Sequence, residues 1–338
     1  MPQHCVAGGH VVHPDGSVTD ADVLFDADAG EIVDVGPALA DHADEVLDAT
    51  DAAVLPGLVN AHTHAAMTLL RGYADDKPLD AWLQEDIWPA EAELTSADVR
   101  AGTDLALVEM IRSGTTAFGD MYFHVSEIVE AVREAGLRAR VGHGIVTIGK
   151  ETETAHDDVQ QSLDVAREYD GAADGRVRTA VMPHSLTTVS REAFEGCVAA
   201  ADDAGVPLHF HANETRDEVT PIVDDYGTAP MQYADDLGVL REDTFVAHGV
   251  HVTDEEIDLL ADRGTSVVHC PASNMKLASG IAPVQRYLDR GVTVALGTDG
   301  AASNNDLDLF DEMRDAAMVS TRPRRGHAFG LGGEKSAC

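Results

Sequence analysis

The chain has 338 residues, 44% of them hydrophobic, enough to bury a core in one large domain or two ordinary ones. Its 60 Asp and Glu against 23 Lys and Arg give a net charge of −37, a surface that repels nucleic acid and anionic membranes, so neither is expected as a partner. No apolar run nears the ~20 residues that cross a bilayer, the N-terminus has no basic stretch before an apolar one, and Cys5, Cys197, Cys270 and Cys338 form no CxxC pair; a cytoplasmic protein with free thiols is expected.

In chain order, residues 1–55 read as a partial β-sandwich: short strands at 6–12, 22–26, 31–36 and 53–55, with Asp15-Gly16 as a turn between the first two. From Pro56 the texture changes to apolar runs of strand length, each followed by an amphipathic segment. Strands are predicted at 57–61, 115–120, 138–145, 177–183, 206–211, 244–248, 265–269 and 292–298. Helices are predicted at 96–112, 125–135, 157–169, 191–204, 254–262 and 282–290, several closed by a glycine, and Thr253 with Glu256 makes a capping box. Strands alternating with helical crossovers form a parallel sheet, and its closure over residues 56–318 predicts an α/β fold of the (β/α)₈ TIM barrel type. Residues 319–338 are a basic, glycine-rich tail, atypical of the rest.

The strongest chemical signal is PGLVNAHTHAAMTLLRG at 56–72. Side chains two apart on a strand leave on one face, so His62 and His64 can aim at one point, and neutral imidazole is a good ligand for zinc and its neighbours. A chain with 16 His holds about one His-x-His by chance, and His209-Phe210-His211 is a second, so the motif needs support. Support comes from register. Barrel chemistry is built at the C-terminal ends of strands, where the chain places His62 and His64, His184, His211 and Glu214, His248, and Asp299. Three imidazoles and a carboxylate converging from different strands make a mononuclear site with room for water.

PGLVNAHTH, HANET at 211–215, AHGVH at 247–251, HCPASNMKLASG at 269–280 and LGTDGAASNN at 296–305, in that order, resemble the amidohydrolase superfamily, and more narrowly the 5′-methylthioadenosine/S-adenosylhomocysteine deaminases. The resemblance implies a (β/α)₈ barrel beside a small β-sandwich and one divalent metal ion, zinc first, with Fe²⁺ or Mn²⁺ as alternatives. It implies hydrolytic deamination of an adenosine-type nucleoside to the inosine analogue and ammonia by a metal-bound hydroxide. The nucleoside would be methylthioadenosine, S-adenosylhomocysteine, 5′-deoxyadenosine or adenosine. By position, His62, His64, His211 and Asp299 match the metal ligands, Glu214 the proton shuttle to the purine ring, and His248 the histidine beside the reacting water. Another hydrolase of the same barrel, such as a guanine or cytosine deaminase or a triazine chlorohydrolase, and an inactive truncated barrel are the competing readings.

For the substrate pocket the resemblance implies Trp82 as an apolar wall, Glu91 for the ribose hydroxyls, and His184 near the nucleoside. His143 stands where homocysteine-binding relatives carry an arginine, which weighs against a substrate with a 5′ carboxylate. His209 reads as a packed, hydrogen-bonded neighbour, His251 as a loop residue, and His269 as a residue behind the ligands. The tail reads as a truncation or reading-frame change of a family member. The partner expected is a small-molecule nucleoside, and a homo-oligomer is compatible with the sequence.

Acids occur along nearly the whole chain, the pattern of a solvated shell in concentrated salt, and a salt-loving source is expected. Lowering the salt should then unfold the protein by self-repulsion. A melting temperature that does not move with ionic strength would contradict this.

Overall fold

The computed structural model describes residues 2–319, and the chain divides into two units, Met1–Leu58 and Val59–Cys338. The first unit is a five-stranded sheet of β1 (Gln3–Val12), β2 (Val18–Asp26), β3 (Glu31–Gly36), β4 (Glu45–Asp48) and β5 (Ala53–Val54). Its order is β3-β2-β1-β4, with β5 also on β1; β1 and β2 are an antiparallel hairpin, and β4 and β5 run parallel to β1. The Asp-Gly turn forms as predicted, Gly16 N–H donating to His13 O at 2.9 Å while the Asp15 carboxylate accepts from Ser17. Strand β4 escaped prediction because EVLD is four residues with an acid at each end. It is one layer, and Ile32 (68%) and Leu47 (66%) are among the apolar side chains it leaves exposed.

The second unit carries the barrel strands. One arc has the order β10-β8-β7-β6, from β6 (Leu58–Thr63), β7 (Thr115–Tyr122), β8 (Arg138–Ile145) and β10 (Met182–Pro183), with β9 (Val177–Thr179) also on β8. The other has the order β11-β12-β13-β14, from β11 (His209–Ala212), β12 (Phe245–His248), β13 (Ser266–His269) and β14 (Val294–Leu296). Parallel bridges Val181↔Leu208 and Ser185↔His211 join the arcs at one seam. At the other, Asp299 N–H donates to His62 O at 3.0 Å and the Asn60 side chain bonds Thr298. Glycine is required there: a Cβ on Gly297 would stand 2.9 Å from both the N and the O of His62. With β9 and β10 as one interrupted strand, the unit is a (β/α)₈ barrel. The predicted 177–183 strand breaks after Thr179, whose hydroxyl turns to Ala166 O.

The sheet is flanked by helices. Those the sequence announces by periodicity and caps are α3 (Ser96–Arg112), α4 (Val125–Ala135), α5 (Thr152–Tyr169), α6 (Arg191–Ala204), α9 (Asp254–Arg263) and α11 (Val284–Asp289). Limits of α3, α4 and α6 fall where predicted, and the Thr253–Glu256 capping box is formed. Pieces not predicted lie mainly in loops that follow strands: α1 (Leu79–Ala81), α2 (Trp88–Glu91) and the π-helical turn between them, α7 (Arg216–Tyr226), α8 (Pro230–Asp236) and α10 (Pro271–Lys276). The last described helix is α12 (Leu309–Val319). Two buried clusters fill the space between sheet and helices, one around Leu107, Phe118 and Ile128, the other around Phe194, Phe210 and Tyr287.

Cys5, Cys197 and Cys270 are buried free thiols; Cys338 and the atypical tail from residue 320 lie outside the described residues. Among the described residues no helix is long and apolar enough to cross a membrane.

Candidate active site

His62 on β6, His64 just past it, His211 on β11 and Asp299 beyond β14 place one ligand atom each within 4.8 Å of all the others. Asp299 Oδ1 lies 3.4 Å from His62 Nε2 and 3.3 Å from His64 Nε2, and His64 Nε2 is 3.2 Å from His211 Nε2. Strand alternation does this on both sides, since His62 and His64 share a face of β6 and His209 and His211 a face of β11.

The donor set fits a divalent cation of the first transition row. His64 Nδ1–H donates to Met121 O at 2.7 Å and His211 Nδ1–H to His184 O at 2.7 Å. A carbonyl oxygen only accepts, so a neutral ring at either position carries its proton on Nδ1 and turns its Nε2 lone pair toward the cluster. His62 Nε2 is buried with no hydrogen-bond partner, an orphan that a metal bond would satisfy. Asp299 Oδ2 accepts from Ser273 Oγ at 2.7 Å and Ser303 Oγ at 2.9 Å, leaving Oδ1 toward the imidazoles. Three nitrogens and one carboxylate oxygen are a ligand set that zinc would accept. The cluster also attracts positive charge. Burial disfavours a charge on His64, yet bonding to Asp299 raises its pKa to about 9; burial likewise opposes the Asp299 carboxylate, whose pKa His62 and His64 nonetheless hold well below the usual range.

Beside the cluster stand Glu214 and His248, with Nε2 of the histidine 3.5 Å from Oε2 of the acid. Ser279 Oγ donates to Glu214 Oε1 at 2.8 Å, and His248 Nδ1 bonds Asn274 Oδ1 at 2.9 Å. Burial raises the Glu214 pKa against the pull of His248; burial works against a charged His248, but Glu214 and Asp299 outweigh it and raise that pKa too. The backbone is left-handed at Asn213 (φ 51°), His248 (φ 73°) and Asp299 (φ 61°), costing roughly 1–3 kcal/mol each, and such strain collects at functional sites. At Asn213 the strain is held in place by Val250 and His251 N–H groups on its carbonyl and by its own side-chain amide on His251 O and buried Glu256. Near Asp299, Asn304 Nδ2 donates to Thr298 O at 2.7 Å and to buried Glu312 Oε1 at 2.5 Å, while Ala272 N–H reaches Glu312 Oε2 at 3.4 Å. Glu312, on α12, thus ties the loops after β13 and β14 together.

A cavity of about 350 Å³ opens over the cluster, walled by Trp82, Trp88, Glu91, His184, Glu214 and His248 among others. Trp82 is fixed by its Nε1–H on Ala74 O, and Glu91 Oε1 is buried without a partner, burial raising that carboxyl. The His184 ring lies 4.6 Å from that of His211, and burial, then the charge of His64, lower its pKa to about 3. His143 lines an adjoining cavity of about 410 Å³ instead, with Lys150; Trp88, Glu91, Tyr122 and Phe123 are among the shared walls. His251 bonds Ser279 O from Nε2, and His269 is buried with both ring nitrogens unbonded.

Asp120, Ser279 and Glu218 were not singled out from the sequence. Asp120 near the end of β7 accepts from Ala65 N–H at 2.7 Å, its other oxygen is buried and unpartnered, and burial lifts its pKa to about 6. The rule that found the other acids, a polar residue at a strand's C-terminal end, applied to it as well. Glu218 lines the cavity and accepts the Glu214 N–H at 2.8 Å.

The amidohydrolase family model matches residues 53–330, and the chain belongs to that family. A 5-methylthioadenosine/S-adenosylhomocysteine deaminase of Halobacterium salinarum is 67% identical over 314 residues, 93% of this chain and 72% of that protein. A 5′-deoxyadenosine deaminase of Methanothermobacter thermautotrophicus is 50% identical over 277 residues, 82% of this chain and 65% of that one. The crystal structure of an adenosine deaminase from Xanthomonas campestris with bound zinc superposes with a TM-score of 0.86 at 39% identity, covering 94% of this chain and 74% of the other. The excess of acids accords with likeness to a protein of a halophilic archaeon.

Proposed function

We propose that this enzyme hydrolytically deaminates an adenosine-type nucleoside, replacing the exocyclic amine at purine C6 by oxygen and releasing ammonia. The observation that carries the reading is the convergence of His62, His64, His211 and Asp299 in one cluster whose last three members line a cavity together with Glu214 and His248. Relatives named for such nucleosides support it.

His62, His64, His211 and Asp299 would hold a divalent cation, which would supply Lewis acidity and make water acidic enough to react near neutral pH. The chain's own groups move the protons. Glu214, whose carboxyl burial favours in the protonated form, is placed to protonate ring N1 as oxygen adds to C6. Asp299 and His248 take the proton given up by water, and return of a proton to the amine lets the C6–N bond break. Glu91 is assigned to the ribose hydroxyls, with Trp82 and His184 as walls around the nucleoside.

Adjoining the Glu91 wall, the second cavity receives the 5′ substituent, and His143 belongs there. Burial lowers His143 to about 4, so it is uncharged at neutral pH, and Lys150 is already paired with Asp158. No arginine is among the described residues that line either cavity. Uncharged 5′ groups should therefore be favoured over the zwitterionic homocysteine tail. Following the ultraviolet change from adenosine to inosine with methylthioadenosine, 5′-deoxyadenosine, adenosine and S-adenosylhomocysteine should give the lowest kcat/KM for the last. Equal values would overturn this specificity, and no ammonia from any of the four would overturn the reaction.

A further inference from the structure

We propose that His209 is a positioning residue that sets the ring tautomer of His62 and so presents His62 Nε2 to the cation; the proposal rests on the cation-binding reading of the cluster. His209 Nδ1 lies 2.8 Å from Phe245 O, and since that oxygen only accepts, Nδ1 carries the proton. The ring is 1% exposed and sits against the His62 ring, and an imidazole whose one proton is on Nδ1 has its lone pair on Nε2. That nitrogen is 2.8 Å from His62 Nδ1. Only one proton fits between two nitrogens at that distance, and it must come from His62. A neutral His62 protonated on Nδ1 has its remaining lone pair on Nε2, the atom that stands 3.4 Å from Asp299 Oδ1 with no other partner.

The opposite tautomer would set two lone pairs face to face at 2.8 Å and aim an N–H at the place of the cation. His64 and His211 take their orientation directly from carbonyl oxygens, of Met121 and His184. His62 takes its orientation from Phe245 O through a second ring. Stacking on Phe245, with ring centroids 4.1 Å apart and planes 13° from parallel, holds His209 for that task. A residue serving only to fill space would need neither hydrogen bond.

Two measurements decide it. In zinc-loaded protein labelled with ¹⁵N in its histidine rings, the Nδ1 proton of His62 should show scalar coupling to a second ring nitrogen across the N–H···N bond. The coupling should vanish in H209Q. In competition with a chromogenic chelator, H209F, which offers no acceptor, should bind zinc about 10–100-fold more weakly, and H209Q, whose amide oxygen can accept from His62, should recover most of that loss. A His62 ring protonated on Nε2 in metal-free protein, or H209F binding zinc as tightly as the wild type, overturns the proposal. Should H209F not fold, the wild-type coupling still decides. Failure of wild-type protein to bind zinc would count instead against the cation-binding reading, and the coupling measured without metal would still judge the His209–His62 bond.

Discussion

Replacing Glu214 with glutamine should lower kcat by at least ~10²-fold, the usual contribution of a positioned general acid and base, with the cation content unchanged. Glutamine keeps the size of the side chain and can still accept from Ser279 Oγ, which bonds Glu214 Oε1 at 2.8 Å. It has no proton to lend at neutral pH. Because Glu214 is not one of the four clustered ligands, metal analysis should show the same occupancy as in the wild type. The drop should sit mainly in kcat and not in KM, since the lost interaction is made as the ring is protonated. Turnover unchanged in this variant would remove Glu214 from the mechanism.

Asp299→Asn should cost more, because one substitution removes both a ligand and a proton acceptor. Asparagine tolerates the left-handed backbone found at this position, and its carbonyl oxygen can keep the hydrogen bonds from Ser273 and Ser303, so the fold should survive. What is lost is the negative charge facing His62 and His64. Zinc affinity should fall, and kcat at saturating zinc should fall by about 10²–10⁴-fold beyond what reduced occupancy explains. Metal titration alongside steady-state kinetics separates the two effects. A variant with wild-type zinc binding and wild-type turnover would show that the carboxylate is neither ligand nor base.

Much of the barrel was legible because its signals are local. Helix α3 begins at a Thr95–Asp98 capping box and α4 and α6 stop at Gly136 and Gly205, whose φ values of 83° and 66° suit glycine, so their limits could be read directly. The clustered residues were legible for a related reason: a (β/α)₈ fold converts the ends of strands far apart in sequence into neighbours. Illegible parts depend on partners the sequence does not name. Helix α7 contains Pro221 and a run of acids, which reads as a loop until Thr215 and Glu218 are seen tying its start to Glu214. The positive φ at His248 and Asp299 leaves no mark on composition. His209 looked like packing because periodicity gives the face a ring is on, and only coordinates show which nitrogen it meets.

Glu312 is neither a wall of the cavity nor one of the four clustered side chains, yet its two oxygens span the turn that starts at Cys270 and the turn that carries Asp299. It sits on α12, the last described helix. A version of the chain ending ahead of residue 312 would keep every group assigned to the nucleoside and still lose the brace between Ala272 and Asn304, the neighbours of the two serines that steady the Asp299 carboxylate. Trimming experiments on this enzyme should therefore treat the far helix as part of the reaction centre's foundation.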